Sequence, residues 1–269
     1  MPSPSAIVAL TTELVLMLGG LMLLWRVQLS PTARAQRQPP ALTTWTIALP
    51  DLGLFLWCVI AGGFIGQLAM VQGLRSTALD GDTRQVLAGA AFQLGMLSGC
   101  SGFALFAPGG RGFAWPRVPF VRTGLVTFII ALPLLVAVGF LWTLILRLTG
   151  LPAERQELIG LFAGAKSPLL LGSLVVLASI VAPITEELVF RAGLYRYART
   201  RLPRWAALLL PAVLFGALHG NLASFAQLVA LGIIFSLAYE RTGNIAVPML
   251  AHALFNLNTI ALILSGIDM

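Results

Sequence analysis

Charged side chains are scarce in this sequence: Asp, Glu, Lys and Arg make up 10% of its 269 residues, against about 25% in a soluble domain. Apolar residues make up 58%, and the mean hydropathy is +0.91. This combination excludes an ordinary soluble domain. Because the apolar runs are continuous rather than alternating, we predict an all-α fold, a polytopic membrane helical bundle without a β-barrel or a soluble domain.

Lysine and cysteine are also scarce. Lys166 is the single lysine, so the net charge of +7 comes almost entirely from arginine, a bias typical of GC-rich bacterial genomes. The arginines stand in short segments between apolar runs, where membrane topology explains them better than nucleic-acid binding. Cys58 and Cys100 lie inside apolar runs without zinc-type spacing and are expected to be small packing residues. We expect a multi-pass protein of a bacterial cell membrane that binds no nucleic acid.

Long apolar runs predict about eight transmembrane helices, at 6–25, 51–72, 85–107, 123–146, 168–198, 205–219, 223–240 and 245–265. The loops after the first, third and fifth spans carry arginine clusters: Arg26, Arg34, Arg37, Arg111, Arg117, Arg122, Arg196, Arg199, Arg201 and Arg204. The loops after the second and fourth spans also carry acids: Asp80, Asp82, Glu154 and Glu157. The positive-inside rule therefore places the odd-numbered loops in the cytoplasm and both termini outside.

Histidine occurs twice, as His219 and His252, and both lie within predicted spans. An adjacent pair of acids, Glu186 and Glu187, lies in the fifth span. Ionisable groups at membrane depth are costly unless they are paired or functional. Their concentration in a chain with so little charge marks the candidate functional site.

The two adjacent acids are expected to have different roles, because neighbouring helical residues point about 100° apart. Glu187 and Arg191 form an i,i+4 pair with the acid first, which favours a structural ion pair. Glu186 has no such partner on its own helix. A carboxyl group in that position is suited to general acid–base chemistry.

The fifth and sixth spans are predicted to form a hairpin that turns near residues 202–203. Glu186 and His219 lie at nearly equal distances from this turn along their helices, about 25 Å at 1.5 Å per residue. We therefore expect them to face each other at similar depth.

The second histidine, His252, shares a helix face with Asn256 at i,i+4. The amide could fix the tautomer of the imidazole, or it could donate to a developing oxyanion. With straight helices, His252 would lie about 10 Å nearer the cytoplasm than Glu186. Kinks at Pro211 and Pro248 would close this difference.

Three short motifs occur in order: Glu-Glu-x-x-x-Arg at 186–191, Phe-x-x-x-His at 215–219 and His-x-x-x-Asn at 252–256. Together they resemble the CPBP family, which contains the type II CAAX prenyl endopeptidases and related bacteriocin-processing and immunity proteins. The resemblance extends from Pro183 to Asn258, and each motif falls in an apolar span. We accordingly divide the chain into N-terminal spans without a motif, 1–165, and a CPBP-like catalytic core, 166–269.

The resemblance implies an intramembrane endopeptidase that hydrolyses a peptide bond of a hydrophobic or membrane-anchored peptide or protein within the lipid bilayer. By analogy, Glu186 would activate a water together with His219, and His252 with Asn256 would stabilise the tetrahedral oxyanion. The supporting residues would be Glu187, Arg191 and Phe215, the last of which packs one turn before His219.

The residues leave the metal question open. Glu186, His219 and His252 form a zinc-type ligand set, and zinc is the alternative cofactor. However, the His-Glu-x-x-His arrangement is absent from the sequence, and Asn256 suits an oxyanion better than a metal. We favour a glutamate-type protease with no cofactor and no metal over a metalloprotease.

Two other functions are compatible with the sequence. A non-catalytic membrane scaffold or bacteriocin-immunity protein could use the same fold to bind another membrane protein. A proton or ion transporter is the third hypothesis, because acids and histidines at membrane depth also form proton relays. Glu13 in the first span and Asp51 at the start of the second favour that reading.

Overall fold

The fold is helical throughout the residues that the computed structural model describes, namely 3–43, 45–106, 119–151, 157–165 and 167–267, which contain no strand. Their helices are α1 Pro4–Leu29, α2 Pro31–Ala35, α3 Leu49–Gly73, α4 Gly81–Phe106, α5 Phe120–Thr149, α6 Glu157–Gly164, α7 Pro168–Arg199, α8 Arg204–Leu218, α9 Phe225–Thr242 and α10 Ala246–Leu264. The predicted all-α fold is confirmed. Four residues used in the sequence analysis lie outside the described ranges: Arg111, Arg117, Glu154 and Lys166.

Each predicted span overlaps one helix to within a few residues at either end. Six helices of the described chain are long and apolar enough to cross a membrane: α1, α3, α4, α5, α7 and α10. Helix α8 is apolar but has 15 residues, a length of about 22 Å against about 30 Å for a hydrocarbon core. Helix α9 has 18 residues and carries Glu240 and Arg241 in its last turn. The protein is therefore a multi-pass membrane protein with six clear spans, in which α8 and α9 pack together and α9 packs on α5.

Local sequence explains where several helices begin and end. The hydroxyls of Ser3 and Ser167 accept backbone N–H groups at the starts of α1 and α7, and a proline follows each serine. Gly150 and Gly243 end α5 and α9 with φ angles of 70° and 63°, a left-handed conformation that glycine adopts without strain.

Helices α3 and α4 pack backbone against backbone through small residues. A Cβ atom at Gly62 would collide with the carbonyl of Gly95, and one at Gly66 would collide with the carbonyl of Ala91. A Cβ atom at Gly99 would collide with the carbonyl of Cys58 in the same way. This spacing of small residues every four positions is a common basis for helix association in lipid.

The linker between α2 and α3 lies across the arginine-rich ends of α7 and α9, and we call residues 38–43 and 45–48 the strap. Two strap N–H groups donate to the carbonyl of Glu240 at 3.0 and 3.1 Å. Arg196 and Arg201 donate to three strap carbonyls. The Trp45 side chain is buried among aromatic rings. The strap thus joins the N-terminal part of the chain to the helices that carry the motifs.

Candidate active site

Helix α7 places Glu186 and Glu187 in different surroundings. The Glu187 side chain has no exposed surface, whereas 17% of the Glu186 side chain is exposed. An unpaired carboxylate with the burial of Glu187 would be strongly unfavourable, so it requires partners.

Glu187 has two partners on the same oxygen. Its Oε1 accepts from Nη1 of Arg191 at 2.9 Å and from Nδ1 of His252 at 2.8 Å. The guanidinium carbon of Arg191 lies 4.5 Å from the ring centroid of Phe215 and 5.5 Å from that of Phe235. These rings provide cation–π contacts in a desolvated setting. The sequence predicted the Glu187–Arg191 pair but not the bond to His252.

The bond to Glu187 fixes the orientation of His252. A carboxylate can only accept, so the Nδ1 atom of His252 carries a proton. Its Nε2 atom lies 3.8 Å from Oε2 of Glu186, beyond direct hydrogen-bond distance. Glu186 and His252 therefore present a carboxylate oxygen and an imidazole nitrogen next to each other, with the ring held from behind.

His252 and Glu186 lie 3.8 Å apart, so the depth offset expected for straight helices is absent. Helix α10 begins inside the protein, because the preceding Asn244 and Ile245 are 3% and 1% exposed. Pro248 lies in the first turn of α10, where a proline does not interrupt the helix. A kink at Pro248 therefore does not account for the contact between His252 and Glu186.

Asn256 is held by α7 rather than by His252. Its Nδ2 atom donates to the carbonyl of Ala178 at 2.7 Å. That carbonyl lies in a π-helical turn, Leu177–Val181. In the i→i+5 pattern of this turn its donor would be the backbone N–H of residue 183. Residue 183 is a proline, which has no N–H. The free carbonyl explains the bond. Glu187, not Asn256, therefore sets the tautomer of His252.

His219 is the C-cap residue of α8, and its side chain is exposed. Its Nδ1 atom lies 2.7 Å from the carbonyl of Phe215, so this nitrogen donates and Nε2 remains free. The Phe215 ring lies 4.7 Å from the His219 ring and 6.1 Å from the His252 ring, centroid to centroid. Within the described residues, His219 makes no hydrogen bond to Glu186. Phe215 is the aromatic residue that both imidazoles share.

No group of three His, Cys, Asp or Glu side chains within the described ranges is arranged to hold a metal ion. The alternative zinc set of Glu186, His219 and His252 is thus not gathered as ligands here.

The acids that favoured a transporter have local partners. Glu13 accepts a hydrogen bond from Nδ2 of Asn258 at 2.9 Å, between α1 and α10. Asp51 accepts from the backbone N–H of Ala48 at 3.2 Å and so caps the start of α3.

Helix α4 is a neighbour of the site that the sequence motifs did not predict. The hydroxyl of Thr185, the residue before Glu186, lies 3.5 Å from the carbonyl of Gln93 and 2.9 Å from that of Val181. An amide side chain in the middle of an apolar span was the available signal, since such residues usually contact other helices.

Comparison with known proteins bears on the same part of the chain. Residues 168–258 match the family model described as type II CAAX prenyl endopeptidase Rce1-like. This segment contains all the motif residues, and the resemblance to the CPBP family is thereby confirmed.

Three curated bacterial proteins are similar over segments of 83 to 107 residues. The "Putative membrane peptidase YdiL" of Bacillus subtilis (strain 168) is 34% identical over 83 residues, which are 31% of this chain and 34% of that protein. The "Uncharacterized 24.3 kDa protein" of Escherichia coli is 35% identical over 107 residues, 38% of this chain and 48% of that protein. The "UPF0177 protein YbdI" of Lactococcus lactis is 30% identical over 83 residues. The chain thus spans a third to a half of the length of these relatives. No solved structure matches this chain.

Proposed function

We propose that the protein is an intramembrane endopeptidase that cleaves hydrophobic or membrane-anchored peptides by attack of a water molecule. One observation carries the proposal: a partly exposed carboxylate, Glu186, lies beside an imidazole, His252, whose far nitrogen is held by the buried pair of Glu187 and Arg191. This is an acid–base pair with a rigid support behind it.

In the proposed reaction, Oε2 of Glu186 accepts a proton from a water molecule as the water oxygen attacks the scissile carbonyl carbon. Nε2 of His219, whose Nδ1 proton is donated to Phe215, can accept a hydrogen bond from the same water. Glu186 then transfers its proton to the leaving nitrogen as the carbon–nitrogen bond breaks.

The oxyanion of the tetrahedral intermediate requires hydrogen-bond donors. Protonated His252 donates from Nε2, and the Glu187 carboxylate stabilises the imidazolium through Nδ1. The bond from Asn256 to Ala178 uses one amide hydrogen and leaves the second for the oxyanion. Because these residues suffice for proton transfer and charge stabilisation, we favour a reaction without metal, and expect a zinc chelator to leave the rate unchanged.

The test uses the full-length protein in proteoliposomes with fluorogenic peptides that carry hydrophobic tails. Glu186→Gln is expected to lower kcat by about 10²–10⁴-fold, because it removes the proton acceptor. Glu13→Gln is the matched control: it neutralises another membrane-depth acid that can still accept from Asn258. Equal cleavage by the Glu186→Gln variant and the wild type would refute the mechanism.

A further inference from the structure

Two buried polar atoms near the candidate active site have no hydrogen-bond partner in the described part of the chain. They are Oε1 of Gln93, in the middle of α4, and Oγ of Ser179, in the π-helical turn of α7. Ser179 is 2% exposed. A buried polar group without a partner is unfavourable, so two of them on helices of one site require an explanation.

Ser179 differs from other hydroxyl residues in the membrane helices of this protein. Ser98, Ser101, Thr127 and Thr185 each donate to the carbonyl four residues earlier, at 2.8 to 2.9 Å. This is the usual way for a helix to satisfy a hydroxyl group in an apolar setting. Ser179 makes no such bond, and its hydroxyl has no partner among the described residues.

Both residues lie on helices that form the candidate active site. The backbone carbonyl of Gln93 lies 3.5 Å from the hydroxyl of Thr185, the residue before Glu186, so α4 packs at Gln93 against the part of α7 that carries Glu186. Ser179 follows Ala178, whose carbonyl accepts from Asn256.

The chemistry of the two groups matches an unwound peptide backbone. A peptide bond must leave its helix before a water can attack it, and its N–H and C=O groups then need partners inside the membrane. An amide oxygen accepts from an N–H, and a serine hydroxyl donates to a C=O. Three other buried atoms also lack a partner in the described residues, but they do not point to a bound peptide. Those of Glu187 and Arg191 belong to the ion pair, and Tyr195 lies among the residues near the strap.

We propose that Gln93 and Ser179 position the substrate: Oε1 of Gln93 accepts a backbone N–H of the bound peptide, and the Ser179 hydroxyl donates to one of its carbonyls. This inference rests on the proposed endopeptidase function and extends it to α4, outside the segment that matches the family model. The substrate is accordingly a peptide whose backbone is extended at the cleavage point.

The first experiment measures cleavage and stability of Gln93→Leu and Ser179→Ala on one peptide. Each variant is expected to raise KM about fivefold, the equivalent of one lost hydrogen bond, with kcat changed less than KM. The thermal unfolding midpoint should stay the same or rise, because an unsatisfied buried group has been removed. A purely structural role predicts the reverse, a lower midpoint with KM unchanged, and that result would overturn the proposal.

Ser98→Ala is the matched control, because the Ser98 hydroxyl is already bonded within its own helix. A sharper test replaces single amides of the peptide by esters, each of which lacks one N–H. When the ester replaces the amide that faces Gln93, the Gln93→Leu substitution should raise KM no further. If the effects of the ester and of Gln93→Leu on KM add fully at every position, the hydrogen bond between Gln93 and the peptide N–H is contradicted.

Binding separates this inference from the endopeptidase proposal. The probe is a fluorescein-labelled synthetic peptide with an apolar tail of about 20 residues, titrated into the Glu186→Gln variant. Ser179→Ala in that background is expected to weaken binding about fivefold. If the wild type cleaves but these substitutions change neither KM nor Kd, the inference fails and the endopeptidase proposal stands. If no peptide is cleaved but the substitutions still weaken peptide binding, only the endopeptidase proposal fails. If no peptide binds, both proposals are refuted.

Discussion

At the residue scale, a single carboxylate oxygen holds two buried partners of different kinds. Glu187 neutralises Arg191 and orients His252 through the same Oε1 atom. Stability and the geometry of the proposed active site therefore depend on the same residue, and suitable substitutions should separate the two.

Removing one charge of the pair should be strongly destabilising. Glu187→Gln leaves the Arg191 guanidinium buried and 1% exposed without a counter-charge. Breaking a buried ion pair in this way costs about 3–5 kcal/mol. The free energy of unfolding, measured by SDS titration in mixed micelles, should fall by this amount; a change below about 1 kcal/mol would contradict the role of the pair.

Removing both charges should restore the fold but not the reaction. A Glu187→Leu, Arg191→Met double variant leaves no unpaired ion, so most of the lost stability should return. His252 then lacks its acceptor at Nδ1, and cleavage should remain at least about 10²-fold slower than in the wild type. A double variant that is both stable and fully active would show that the Glu187–His252 bond is dispensable.

The sequence could predict the Glu187–Arg191 pair because it depends only on the helical repeat. It could not predict the Glu187–His252 bond, which joins residues 65 positions apart. That bond depends on how α10 packs against α7, and the packing of two distant helices is not encoded in local sequence.

At the element scale, α7 is shaped by a proline next to a π-helical turn. Pro183→Ala would supply an N–H that competes with Asn256 for the carbonyl of Ala178. We expect kcat to fall several-fold while the unfolding midpoint does not. Pro248→Ala is the control, because Pro248 lies in the first turn of α10 and its missing N–H is not needed there. Equal effects of the two substitutions would argue against this role of Pro183.

The close contact between α3 and α4 can also be tested by substitution. Gly95→Ala places a Cβ atom against the carbonyl of Gly62, so the helices must separate at a cost of about 1–3 kcal/mol. Gly102→Ala, on the same helix, has no atom within 4 Å of its new Cβ and should be neutral or stabilising by up to about 1 kcal/mol. Unfolding midpoints of the two variants in detergent give the comparison, and a stable Gly95→Ala variant would refute the close packing.

At the scale of the whole molecule, the arginines between the last turn of α7 and the start of α8 have a second role besides topology. Arg196 and Arg201 hold the strap, while Arg199 and Arg204 pair with Glu240 at 2.8 Å. Loop charge alone indicated a side of the membrane, but these bonds also fasten the strap over the ends of α7 and α9.

Thiol labelling in intact cells tests the predicted topology. In a Cys58→Ala, Cys100→Ala background, Leu222→Cys between α8 and α9 should react with a membrane-impermeant maleimide, because 40% of that side chain is exposed and an even-numbered loop is predicted outside. Arg37→Cys, in the first loop, should react only after permeabilisation. The opposite pattern would invert the topology.

Local sequence was enough to predict a helical membrane fold, because hydropathy and the 3.6-residue repeat act locally. It did not fix the number of spans: eight were predicted, and six helices of the described chain are long and apolar enough to cross a membrane. Tertiary structure decided which residues meet. The packing of α10 against α7 brings His252 to Glu186 and Glu187. The proline-altered turn of α7 binds Asn256, and α4 places the backbone of Gln93 beside Thr185. Contacts between distant segments follow from how helices pack and at what depth they begin, and no local pattern encodes either.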